Sequence, residues 1–97
     1  MPPVSDPHSP TPHELVWEDA AVDRLAALVK QYPDAAKGVI PAIYELAANP
    51  RPTGSTALGE TGAYRRLLLG YLRVLYAVCD DPPTVRIVLV GRADQPR

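Results

Sequence analysis

"YRRLLLGYLRVLYAV", residues Tyr64–Val78, decides how this chain reads. Gly70 and Tyr71 separate a pair of apolar runs, Tyr64–Leu69 and Leu72–Cys79, both rich in Leu, Val and Tyr. Two such runs around a short Gly-bearing turn predict a β-hairpin. Side chains alternate along a strand, so Val74, Tyr76 and Val78 point one way while Arg73, Leu75 and Ala77 point the other. "DDPP" turns the chain again, and Thr84–Val90 predicts a further strand. There Val85, Ile87 and Leu89 oppose Arg86, Val88, Val90 and Arg92. Both faces are thus apolar, and one of them also carries arginines.

Working back from the hairpin, the earlier chain supplies a cover for one face only. "HELVWE" predicts a short strand centred on Leu15–Trp17. Asp19 can cap a helix over Ala20–Tyr32, whose apolar stripe is Val22, Leu25, Leu28, Val29 and Tyr32. Pro33 ends it. Asp34 can cap a second helix through Ala48, with Val39, Ile40, Ile43, Leu46 and Ala47 as its stripe. Pro41 lies inside it, on the polar side with Lys37 and Glu45. "NPRPTGS" is a stop. The order β-α-α-β-β-β predicts an α+β fold, two N-terminal helices packed on one face of a small, mostly antiparallel sheet. The face bearing Arg73, Leu75, Ala77, Arg86, Val88, Val90 and Arg92 is left uncovered, and an apolar patch of this type is expected to be a partner surface. Tyr76 is expected in the core.

The rest of the chain narrows the class. Its 97 residues suit one domain. Residues 1–13 hold five prolines and read as a flexible tail before a domain spanning 14–97. His8 and His13 lie in that tail without the Cys or carboxylate companions of a metal site. No apolar stretch is long enough to span a membrane, and the N-terminus lacks the charged start and apolar middle of a signal peptide. The single cysteine, Cys79, reads as a buried strand residue and fits a cytoplasmic protein. The net charge of −1 is uneven. Residues 1–63 carry eight acidic and four basic side chains, residues 64–97 three acidic and six basic. A basic half on a near-neutral protein points to a local anion-binding surface.

"LAANPRPTGSTALGETGAYRRLLLGYLRVLYAV" followed by "VRIVLVGR" resembles the RelE/ParE superfamily of bacterial toxins. Leu46, Asn49, Pro50, Arg51, Pro52, Gly54, Ser55, Leu58, Tyr64, Arg65, Gly70, Arg73, Val74, Tyr76 and Gly91 stand where that family's pattern expects them. The resemblance covers residues 14–92. It implies a type II toxin–antitoxin system: a RelE-like mRNA endonuclease working in the ribosomal A site to inhibit translation, or a ParE-like inhibitor of DNA gyrase. A third alternative is a degenerate member that only binds its antitoxin. On the RelE-like reading no cofactor or metal is needed. Arg66, Arg73 and Arg92 would act on the scissile phosphate, Arg65, Arg86 and Arg97 would bind RNA phosphates, and Leu75, Ala77, Val88 and Val90 would bind the antitoxin.

Metal-independent RNA cleavage needs a base for the 2′-OH, stabilisation of the crowded phosphorane, and an acid for the leaving 5′ oxygen. Arginine serves the second and, staying protonated, not the others. The family's second basic strand residue is missing: it falls on Leu67 if counted from Tyr64, with Arg65 in the first slot. Counted back from Gly70 it falls on Leu68, with Arg66 in the first slot. Pro96 stands where a C-terminal Tyr is expected, and no general base is visible on the arginine face.

Overall fold

The computed structural model describes residues 12–92. The chain runs β1 (Glu14–Trp17), α1 (Asp19–Gln31), α2 (Pro33–Glu45), β2 (Ser55–Leu58), β3 (Tyr64–Leu69), β4 (Leu72–Asp80) and β5 (Pro83–Arg92). The five strands form one sheet in the order β1-β5-β4-β3-β2. Only β1 lies parallel to its neighbour β5; the other pairs are antiparallel. The β3–β4 hairpin closes at Gly70 and Tyr71, with Gly70 at φ +63°, a conformation that glycine adopts without a Cβ clash.

Both helices lie on one face. Leu28, Val39, Ile43 and Leu46 bury against Leu67, Leu72, Val74, Tyr76, Val78, Val85, Ile87 and Val90. Tyr76 is fully buried, as its alternation demands, and its hydroxyl donates to the Pro50 carbonyl at 2.7 Å. That bond satisfies a polar group that would otherwise cost about 1–3 kcal/mol to bury. It also ties the loop after α2 to the sheet.

Four local expectations are corrected. Residues 55–58, read as loop, form β2, which pairs Ser55–Leu58 with Leu67–Tyr64. The α1 stripe keeps the expected Leu25, Leu28 and Tyr32 and adds Ala21, while Val22 and Val29 are exposed. Ala21 is small enough to let α1 sit close to the sheet. Neither Asp19 nor Asp34 is a cap: Glu18 and Tyr32 hold the N-cap positions without side-chain bonds, and both aspartates lie in first turns, where a negative charge suits the helix dipole. Helix α2 ends at Glu45 because the next amides, Leu46 and Ala47, bond back to Ile43 and Tyr44 in tighter i→i−3 turns.

The largest departure lies between β4 and β5. Leu75 pairs with Leu89 and Tyr76 with Ile87, so Val88 is an extra residue in β5. A β-bulge of this kind inverts the alternation beyond it. Up to Ile87 the expected faces hold. After Val88 they exchange: Val90 joins the core at 0% exposure, and Leu89 moves to the uncovered face opposite Leu75.

Candidate functional site

The uncovered face can be built from the register. Arg66 lies opposite Leu75, and Leu68 opposite Arg73. Directly paired residues share a face, so Arg66, Leu68, Arg73 and Leu75 do so. Arg66 and Arg73 are diagonal neighbours, about 7–8 Å apart at the backbone. Leu89 and Ala77 extend the patch across β4 and β5, and Leu68 and Tyr64 stand exposed at its β3 side. In this register Arg66 and Leu68, the residues counted back from Gly70, lie beside Arg73.

Both arginines are half-buried, and among the described residues neither makes an ion pair. Their Nε atoms are covered by protein yet have no hydrogen-bond partner there. Two arginines at diagonal positions of an open face with no carboxylate beside them repel one another, and an anion bridging their outer guanidinium nitrogens relieves that cost. Guanidinium forks match phosphate oxygens in paired hydrogen bonds.

The other predicted arginines are engaged elsewhere. Arg65 faces the helix-covered side, opposite Tyr76, and its Nε and Nη2 donate to Ser55 Oγ at 3.1 and 2.9 Å. It is therefore not on the uncovered face, because alternation on β3 separates it from Arg66. Arg86 is on that face, paired with Glu18 at 2.9 Å. Arg92 is displaced by the bulge: it lies opposite Leu72 on the covered side, donates to Tyr32 Oη at 2.7 Å, and sits 4.9 and 5.6 Å from the Tyr32 and Tyr71 ring centroids. The expected convergence of Arg92 with Arg73 does not occur. Arg97 lies outside the described residues. Of the expected antitoxin-binding set, Leu75, Ala77 and Val88 are half-buried, whereas Val90 is core.

At the far end of β4 the charges are closed. Arg51 donates to Asp80 Oδ2 at 3.0 Å and to Oδ1 at 3.4 Å, and His13 Nε2 lies 3.1 Å from Oδ1. These bonds, Arg51 first and His13 second, hold the Asp80 carboxyl below its ordinary pKa. His13, read as tail, is fixed further by its amide to the Ala47 carbonyl at 2.6 Å. The Asn-Pro-Arg-Pro motif thus explains itself: Asn49 Oδ1 accepts the Arg51 amide, Pro50 receives Tyr76, and Arg51 pins Asp80. Cys79 is exposed, not buried, since its parity puts it on the uncovered face at the strand's end. Sequence reasoning missed the His13–Asp80–Arg51 cluster; its members are 67 and 29 residues apart in the chain.

Two helices on a five-stranded, mostly antiparallel sheet is the fold of the RelE-like toxins. The toxin–antitoxin complex RelBE2 from Mycobacterium tuberculosis contains a chain that superposes with TM-score 0.71 at 24% identity, covering 87% of this chain and 95% of that one. The archaeal RelE–RelB complex from Pyrococcus horikoshii OT3 gives 0.71 at 20% identity over 87% and 98%. The E. coli DinJ–YafQ complex gives 0.68 at 14% over 82% and 92%. At these identities the likeness is one of fold. No protein-family model matches the sequence, and no curated protein matches it by sequence. Among the described residues no helix is long and apolar enough to cross a membrane.

Proposed function

We propose that this chain is the toxin of a type II toxin–antitoxin system, a RelE-like, ribosome-dependent mRNA endonuclease that inhibits translation in the cytoplasm. The observation that carries the reading is the Arg66–Arg73 pair, diagonal neighbours on an open face with no acidic partner among the described residues. The fold likeness to toxins found with RelB and DinJ supports it and supports an antitoxin partner. Leu68, Leu75, Ala77, Val88 and Leu89 form the apolar part of the face that such a partner would cover. Its acidic side chains would satisfy the arginines until the toxin is freed.

In the reaction, Arg66 and Arg73 hold the scissile phosphate and stabilise charge on the phosphorane as the 2′ oxygen attacks. Neither moves a proton at neutral pH. With Leu68 where the family has a second basic residue, and Arg92 turned to the other side, this face carries no Lys, His or carboxylate beside the phosphate site among the described residues, and Tyr64 is the titratable side chain it keeps near Arg66. The enzyme is therefore slow, or takes its proton-transfer groups from the ribosome. The same deficit favours a second reading, a ParE-like gyrase inhibitor that cuts nothing. Arg65, Arg86 and Arg92, engaged by Ser55, Glu18 and Tyr32, would have at most a peripheral phosphate-binding role. Inducing the protein and mapping mRNA 5′ ends on translating ribosomes tests the choice. Discrete cuts within codons are expected; intact mRNA with loss of DNA supercoiling would select the gyrase reading.

A further inference from the structure

We propose that the cavity between α1 and the end of β5 is a binding site for a small oxyanion of phosphate size, on the helix-covered side of the sheet and independent of the open face. The cavity has two walls. Along α1 and its C-cap, Arg24, Ala27, Gln31 and Tyr32 recur at i, i+3, i+7 and i+8, a spacing that sets them on one stripe of the helix. Gly91 and Arg92 of β5 stand across from them. The space between is about 180 Å³. It exists because Ala27 on one wall and Gly91 on the other add almost no side chain.

The polar groups of the lining select an anion. Two guanidiniums, Arg24 and Arg92, line the cavity, and no acidic side chain does so among the described residues. Arg24 makes no ion pair among those residues. Arg92 is held in place: Nη1 donates to Tyr32 Oη at 2.7 Å, and the guanidinium lies 4.9 and 5.6 Å from the Tyr32 and Tyr71 ring centroids. That clasp fixes the side chain before a ligand arrives, which lowers the ordering cost of binding. The Tyr32 hydroxyl accepts in the bond from Arg92 and keeps its own proton to donate, and Gln31 adds an amide N–H. Guanidinium groups meet an oxyanion with paired, charge-assisted hydrogen bonds. Volume decides the size of the ligand. Pockets that enclose a drug-sized molecule begin at about 300 Å³, so these walls take a single phosphate group and not a whole nucleotide. The group is either free inorganic phosphate or the phosphate end of a larger molecule whose remainder stays in solvent. Once bound, it bridges Arg24 of the helix and Arg92 of the last strand.

The test is isothermal titration calorimetry on the full chain carrying Arg66→Ala and Arg73→Ala, which silence the open face, at an ionic strength held constant with chloride. The probes are inorganic phosphate and AMP. Phosphate is expected to bind once per chain, and adding Arg24→Gln is expected to weaken it by about 10- to 150-fold, the loss of a hydrogen bond to a charged group. Gln31→Glu sets a carboxylate of the protein's own among the cations. It is expected to abolish phosphate binding and to raise the melting temperature measured without phosphate. AMP binding at least as tightly as phosphate assigns the site to the phosphate end of a larger molecule; phosphate binding without AMP binding assigns it to the free ion. No saturable binding of either probe would overturn the proposal. So would binding that survives both Arg24→Gln and Gln31→Glu, which would place the anion elsewhere.

Discussion

The two ends of β4 treat charge in opposite ways. At one end Asp80 collects Arg51 and His13 into a closed cluster that joins the N-terminal strand, the loop after α2 and the last turn of the sheet. At the other, Arg73 stands beside Arg66 with no counter-ion among the described residues. Both ends present guanidinium groups, yet one has a carboxylate within reach and the other has leucines, Thr56 and Gly91 across from its arginines. An arginine's role here is set by what the register places opposite it. Arg65 and Arg92, alike in kind to the open pair, are engaged by Ser55 and by a tyrosine clasp.

Near the open end, the bulge at Val88 sets which side of the sheet each β5 group occupies. Val90→Asp should therefore do the most damage: it puts a carboxylate into a fully buried position and costs several kcal/mol, enough to unfold a domain of this size. Leu89→Asp, on the open face, should cost about 1 kcal/mol or less. Urea unfolding of both variants checks this, and equal damage would place the bulge elsewhere.

Next in size is the open pair. Arg73→Ala should weaken single-strand binding and any toxicity by about 10- to 150-fold, as expected for a hydrogen bond to a charged group. Thermal stability should hold or rise, because a like-charge neighbour is removed. Arg24→Ala, on α1, should leave both unchanged. A smaller gain should come from Leu68→Lys, which sets a third cation directly opposite Arg73. Oligonucleotide affinity should rise by roughly tenfold, with a steeper dependence on salt. A rise in cleavage rate as well would identify a proton-transfer step that the wild type lacks.

The closed end should give the smallest effect. The folded-state pKa of Asp80 lies below 3.8, so its contribution to stability is present above that value and is lost as pH falls through the folded pKa. Melting temperatures of wild type and Asp80→Asn should differ by a small amount near neutral pH and converge below about pH 4. The carboxylate is well exposed, so solvent screens the pair. A gap that stays constant down to pH 2 would show that the Asp80 charge does not couple the cluster to folding.

Much of this was legible in residue order. Strict alternation from Leu72 to Val78 places Tyr76 in the core and Arg73 opposite, because a strand's side-chain period is two and nothing interrupts it there. The helix order, the hairpin at Gly70 and the existence of one uncovered face follow from equally local signals. The tertiary structure decided the rest. β2 is four residues of mixed polarity that form a strand because β3 offers an unpaired edge. The bulge leaves no mark in "VRIVLVGR", since an extra residue exists only relative to a partner strand. Its insertion sends Val90 inward and carries Arg92 to the tyrosines. Arg65 and Arg66 are interchangeable on paper; a one-residue difference in register puts one on a serine of the covered side and leaves the other beside Arg73, because adjacent residues on a strand face opposite ways.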